Sequence, residues 1–476
     1  MGRPLDTRAH VMRLLQRTGF DAGPDAVDAA EKAGSDATLD RVLASGEDAG
    51  AAATPLPRLD PLPRRGKGGK RGGKKTGGEG GGDGKSAEPQ EQGGQSGQGK
   101  GKGDAAAKKA FRSAVREQRG DIALWWLDRM VAAERPWAEK RTLLWHNHWA
   151  TSVQKVKSGS AMLVQNETLR RLGGGDFRAL ARAMVCDPAL MVWLDAPGST
   201  AEEPNENLGR ELMELFVLGV GHYTEQDVRQ AAAALTGWTV DRKDPDGWQA
   251  RFRPDRHAAG RHTVVGATED FTAASLIDHL VDVPASAAYL ATRFWGRVVA
   301  SSAPSKGSLA RAIAAYGTGR DTTAMFRALL TDPAFADPGS VLVKQPVEYV
   351  VGAMRAFGVR PSKLKAPARA KLLRTLEGLG QTPFAPPSVG GWPGGAAWLT
   401  GAAAQVRIGF AQGLVREADL TEVERAAAKE RPALLARSLG VRSWGAATSG
   451  VLTAAARDPH RVTAIALTAP EYLVLA

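Results

Sequence analysis

The chain predicts a mainly α-helical globular domain that carries a small antiparallel β-hairpin insert and a disordered Gly/Lys-rich insertion. Three observations lead there. Alanine is abundant and β-branched runs are few, which favours helix. A stretch near 50–105 has almost no apolar residues and cannot bury enough surface to offset its ordering entropy. Near 237–266 the texture changes to short β-type runs separated by turn residues.

At 476 residues the chain can bury a large core and hold one or two domains. Cys186 is the only cysteine, which excludes an intrachain disulfide and a cysteine-based zinc cluster. The opening Met1-Gly2-Arg3-Pro4-Leu5-Asp6 has no apolar h-region, so no signal peptide is expected. No window is long and apolar enough to span a bilayer, and a soluble cytoplasmic protein is the default expectation.

Residues 1–49 read as the N-terminal helices of the domain. Ala9, Val11, Met12, Leu14 and Leu15 have helical periodicity, and Gly19 is a stop signal. Val27 to Ala30 and Leu39 to Leu43 repeat the pattern. Pro55, Pro57, Pro61 and Pro63 then lead into Gly-Lys and Gly-Gln repeats, assigned over 50–105 as a disordered insertion. Gly66-Lys67-Gly68-Gly69-Lys70 is no phosphate-binding loop, because no strand precedes it and no helix follows.

The main helical body is expected over 106–476. Asp121 to Ala133, Trp137 to Val156, Met162 to Leu172, Phe177 to Val185 and Asn205 to Leu218 read as helices. Thr224 to Leu235 is another, with Thr224 as N-cap and Asp227 as a weak capping-box partner. Gly237 to Val240, the Asp-Pro-Asp-Gly turn at 244–247, Trp248 to Phe252 and Thr263 to Gly266 read as a small antiparallel sheet. Helices resume over 272–300, 308–330, 345–357 and 366–379, a Pro/Gly/Trp loop follows at 382–398, and helices close the chain.

The net charge of +12 resembles a nucleic-acid signal until it is mapped. Residues 61–109 hold 12 Lys/Arg against 5 Asp/Glu, a net of +7, which leaves +5 for the rest. The excess therefore belongs mainly to the low-complexity segment and not to a folded basic face. Weak attraction of that segment to phosphate polymers or anionic lipid is one reading, and a soluble linker is the favoured one.

The most informative stretch is Pro204-Asn205-Glu206-Asn207-Leu208-Gly209-Arg210-Glu211-Leu212-Met213-Glu214-Leu215. Asn207, Arg210, Glu211 and Glu214 recur at i, i+3, i+4, i+7, the spacing of one helical face. Leu208, Leu212 and Leu215 occupy the adjacent face. A polar stripe beside such a surface is expected to be buried, where its members must satisfy one another or hold a ligand. On the 137–150 segment, Glu139 and His146 share a side, and Trp145 and Trp149 share another. His146 and His148 point about 200° apart on a helix and cannot ligate one ion.

These segments define the candidate site. Glu211, Glu214 and His146 are the candidate catalytic groups, and Arg210, Asn207 and Trp392 the candidate substrate contacts. Glu139, His146, Glu206 and Glu211 are the candidate ligands of a divalent metal; oxygen donors with one imidazole suit manganese, zinc or iron. A metal-assisted hydrolase is the corresponding reaction class. The alternative is a non-enzymatic binding or assembly protein in which the same residues form a structural salt-bridge network. His257 lies on a loop between expected strands, where polar residues often carry function. The 382–398 loop could line a pocket mouth or staple helices. No nucleophile elbow, Walker loop, dinucleotide fingerprint or kinase set is present.

Several of these motifs occur together in one order. They are Trp145-His146-Asn147-His148-Trp149, Asp187-Pro188-Ala189-Leu190, Pro204 through Phe216 with Leu218-Gly219, Tyr223-Thr224-Glu225-Gln226-Asp227-Val228, Leu235-Thr236-Gly237-Trp238 and Pro386 through Pro393. With Leu14-Leu15-Gln16-Arg17-Thr18-Gly19-Phe20, they resemble the bacterial family catalogued as domain of unknown function 1800. The resemblance spans nearly the whole chain apart from 50–105, and implies that the insertion interrupts a single domain. It implies no established reaction. Exported members with twin-arginine signals and neighbouring sulfatase-like proteins are associated with the family. The His-Asp-x-Gly-type loop of relatives is His257-Ala258-Ala259-Gly260 here, with alanine in place of the acid.

Overall fold

The computed structural model describes residues 5–44, 46, 48–63, 98–243 and 248–475, with side chains in the helix that opens at Gln98 described from residue 104 onward. Within them the fold is mainly helical, with three small antiparallel strand pairs. The Gly/Lys-rich stretch from 64 to 97 and the 244–247 turn lie outside the described residues. Residues 50–63, grouped with the insertion on composition, pack on the body: Ala51 and Thr54 are buried, and Gln118 donates to the Asp60 carbonyl. No helix among the described residues is long and apolar enough to cross a membrane.

The first helix, Thr7–Thr18, is capped by Asp6, whose side chain accepts from the Ala9 amide. Its inner face carries Val11 and Leu14 but also Arg13 and Arg17, both 1% exposed. Among the described residues, neither arginine meets a carboxylate. Arg13 Nη1 donates to the carbonyls of Phe335 and Asp337, and Arg17 Nη2 to those of Ser340 and Leu475. The strand Leu342–Val343 pairs with Val474–Leu475 beside them. The N-terminal helix is thereby tied to the 335–343 segment and to the C-terminal strand.

Two apolar clusters form the core, and the helix Trp137–His148 sits between them. Leu144, Trp145 and the following Trp149 enter one cluster, while Leu143 enters the other. A helix flanked by two cores is buried all round. The expected helix from Trp137 to Val156 is two pieces, Trp137–His148 and one turn at Val153–Val156, and the helix expected from Met162 to Leu172 follows as Gly159–Leu172. Local side chains end the first piece. Thr151 Oγ1 donates to the Trp149 carbonyl, and Ser152 accepts from the Gln154 amide to start the next turn.

The expected helix from Asn205 to Leu218 also divides. Asn205 caps an α-helix at Glu206–Glu211, which passes into a π-helix at Leu212–Val217. The wider turn is closed by Leu218 and Gly219, whose amides both donate to the Met213 carbonyl. Gly209 lets the helix Glu225–Ala234 approach; a Cβ there would stand 3.1 Å from the Ala232 amide nitrogen. That second helix begins at the expected capping box, with the Thr224 amide donating to Asp227 and the Asp227 amide donating to Thr224.

The β insert is two separate hairpins and not one sheet. Trp238–Asp241 pairs with Gln249–Phe252, and His262–Val264 pairs with Ala267–Glu269. Val265 and Gly266 both have positive φ, as a tight two-residue hairpin turn requires.

Candidate functional site

The 137–148 helix buries five polar or charged side chains from Glu139 to His148 that bear on the site: Glu139, Lys140, His146, Asn147 and His148. Each has at least one protein partner, although His148 Nδ1 has none among the described residues. Glu139 accepts four hydrogen bonds: from Trp126 Nε1 at 2.8 Å, Arg129 Nε at 2.6 Å, and Arg170 Nε and Nη2 at 2.8 Å each. Burial alone would raise its carboxyl; Arg170 and then Arg129 outweigh that and hold it below the usual range. Lys140 pairs with Glu348 at 2.6 Å.

His146 Nε2 accepts from the Phe384 amide at 3.0 Å, and its ring lies within 5.5 Å of the rings of Trp126, Phe384 and Trp392. Burial pushes its pKa down to about 3, so the ring is neutral. His148 points the other way, as two residues' separation on a helix demands, and its Nε2 donates to the Phe216 carbonyl at 2.8 Å. Asn147 Oδ1 accepts from the Trp392 amide at 2.6 Å. The loop approaches so closely that a Cβ on Gly391 would stand 2.3 Å from that oxygen, and Gly391 has φ +85°. The 382–398 loop is thus pinned to the helix by a histidine and an amide, and Trp392 is buried at 2% exposure.

The second helix places its stripe differently. Arg210 donates to both carboxylate oxygens of Glu225, at 2.6 and 2.8 Å, and to Glu206 at 3.3 Å. These groups are 33%, 63% and 44% exposed, so the network is a surface one. Asn207 donates to the Leu194 carbonyl. Glu214 accepts from the Tyr223 hydroxyl at 2.6 Å. Glu211 is half-buried and makes no hydrogen bond or ion pair among the described residues; burial and then Glu214 raise its carboxyl above the usual range.

The two helices do meet, but through other residues. Phe216 stacks on Trp149 at 4.5 Å and accepts from His148 through its carbonyl. Tyr289 donates to the Leu215 carbonyl at 2.6 Å, and Arg293 donates to Tyr289 and to the Asn147 and Gly390 carbonyls. No hydrogen bond, ion pair or ring contact among the described residues joins Glu139 or His146 to Glu206, Glu211 or Glu214. No group of three or more His, Cys, Asp or Glu among those residues could hold a metal ion. The expected quartet Glu139, His146, Glu206 and Glu211 is therefore corrected. A helical wheel sorts residues by face, but Glu139 and His146 face arginines and a loop, while Glu206 and Glu211 lie half-exposed beside the next helix.

His257 serves its loop. Its Nδ1 lies 3.1 Å from the Thr236 carbonyl, and its ring packs on Phe252 at 5.3 Å. Periodicity did not reveal Asp187, which is fully buried. Its Oδ1 accepts from Gln165 Nε2 at 2.6 Å and from the Leu190 amide at 2.8 Å. Burial pushes its carboxyl up to about 6, and the hydrogen bonds only partly offset that. Asp187-Pro188 marks an N-cap in sequence, yet nothing local reports the burial.

The family model for a protein of unknown function, DUF1800, matches residues 13–474. The chain belongs to the DUF1800 family. No curated protein matches it, and no solved structure does. The polar helix and the tryptophan-histidine helix both lie within the matched residues.

Proposed function

We propose that this DUF1800 protein is a non-enzymatic binding or assembly protein, and that its candidate site residues act as joints between helices. One observation carries the reading: nearly every group nominated as a ligand or catalyst already has a protein partner. Glu139 is saturated by Trp126, Arg129 and Arg170, His146 by the Phe384 amide, Glu214 by Tyr223, and Glu206 with Arg210 and Glu225 by one another. A carboxylate with four donors has no lone pair to offer a cation without releasing an arginine. The test is thermal unfolding of protein purified without chelator, with and without EDTA. Coincident melts are the expected result, and a lower Tm in EDTA would overturn the reading.

Glu211 supports a second reading. It is the one stripe carboxylate without a partner among the described residues, and its raised pKa suits a proton donor. On this reading the half-buried face around Glu211 and Glu214 binds a small polar ligand with Glu211 as acid. Glu211→Gln is then expected to abolish ligand-induced stabilisation while leaving the unliganded melt unchanged; a lowered unliganded melt would make Glu211 structural.

A further inference from the structure

A second surface lies away from the polar helix face. The long helix Gln98–Ala132 carries Lys108, Arg112 and Arg116 at i, i+4 and i+8, which aligns them on one ridge. They line a cleft of about 510 Å³, and its neighbour of about 600 Å³ is lined by Arg242 and Trp248; the two share Phe111 and Lys157. The two clefts adjoin at these shared walls and form a groove in two parts. Among the described residues, Asp60 is the single acidic residue on its walls. Arg119 and Lys155, also on the walls, pair with Glu377 and Asp195 outside it. Among the described residues, Lys108, Arg112, Arg116 and Lys157 form no ion pair, and Arg242 lies over the Trp248 ring at 4.9 Å.

This placement revises the charge map read from composition. Lys108, counted with the low-complexity segment, stands on a helix that also carries Arg112 and Arg116. A row of unneutralised cations along a concave wall matches a ligand whose negative charge repeats along a line. An indole with a guanidinium on its face is a platform for a flat π-system. A bilayer offers the charge but cannot enter a groove of this shape, and it offers nothing to stack. We propose that this groove binds single-stranded nucleic acid, with Lys108, Arg112, Arg116 and Lys157 on the phosphates and the Arg242–Trp248 pair against a base. The surface is independent of the Glu211 face, so either reading can fail alone. The segment 64–97, with eight Lys/Arg and four Asp/Glu, leaves the described chain next to Leu62 at the rim and is the rival source of any such binding.

The test is fluorescence anisotropy of the full chain with a fluorescein-labelled, mixed-sequence single-stranded 20-mer across salt. Salt-dependent association is expected. Replacing Lys108, Arg112, Arg116 and Lys157 together with alanine is expected to flatten the log–log salt slope by ~3, since each neutralised phosphate of a single strand contributes ~0.7. Trp248→Leu is expected to weaken binding by ~5- to 100-fold, the loss of one stacked base. Circular dichroism melts establish that both variants fold. The proposal is overturned by no association at low salt. It is also overturned if the quadruple variant binds as the parent does while deletion of 64–97 abolishes binding. Tighter association with phosphatidylglycerol vesicles than with the oligonucleotide would overturn it too.

Discussion

The helices Trp137–His148 and Glu206–Glu211 carry similar residues to opposite ends. In the first, Glu139 is 1% exposed and held by two arginines and an indole. In the second, Arg210 and its two glutamates make an equally good set of contacts in contact with water. The contrast shows that burial, and not residue type, decides what a polar group must do. A buried carboxylate has to be fully paired because desolvation of an unpaired charge is prohibitive. A half-exposed one can remain unpaired, as Glu211 does among the described residues, since water can complete its shell.

The largest expected effect comes from breaking the buried side of this contrast. Glu139→Gln leaves Arg129 and Arg170 without their carboxylate, and urea unfolding is expected to show a loss of about 3–5 kcal/mol. A loss below 1 kcal/mol would place this network with the surface one.

Asp187 sharpens the comparison next, being a buried carboxylate with hydrogen bonds but no cation. Its folded-state pKa is raised to about 6, so its contribution to stability is full below about pH 4 and is lost as pH rises through 6. Asp187→Asn is therefore expected to gain on the parent protein by up to about 3 kcal/mol between pH 4 and 7. Glu139 runs the opposite way: its lowered pKa gives stability that is lost as pH falls. A pH-independent difference between Asp187→Asn and the parent would contradict the assignment.

His146→Ala comes third. It orphans the buried Phe384 amide, at a cost of about 1–3 kcal/mol near neutral pH. Burial depresses this imidazole to about 3, so the unfolded chain takes up its proton first and stability falls as pH drops below about 6.5. The variant is expected to lose that share of the acid slope, about 1.4 kcal/mol per pH unit, measured by denaturant titrations between pH 4 and 6.5.

Arg210→Ala is expected to do least. Its partners are exposed and screened, so the unfolding midpoint should barely move, and high salt should erase what difference there is. A large destabilisation by this change would remove the distinction between the two helices.

Much of the fold could be read from local pattern. The Thr224/Asp227 capping box, the divergence of His146 and His148, the helical stretches and the β texture near 238–269 all follow from neighbours a few residues apart. The candidate site was harder. Local periodicity placed Glu139 with His146 and Asn207 with Glu211, but it does not say which distant chain covers each face. The π-turn at 212–217 escaped because side-chain spacing does not distinguish it from an α-turn, and its Leu215 carbonyl accepts from Tyr289, 74 residues away in sequence.

The sequence by itself determined which stretches are largely helical, which positions are apolar, and which family the chain belongs to, because caps, turns and side-chain spacing act over a few residues of backbone. Only the tertiary structure decided that Glu139 meets arginines from two other helical segments, that a loop more than two hundred residues on closes over His146, and that Lys108 and Arg112 line a groove with Trp248. Pairing of this kind is set by the packing of distant segments around two cores, and the free energy that selects it is spread over many apolar contacts and written in no single stretch of residues.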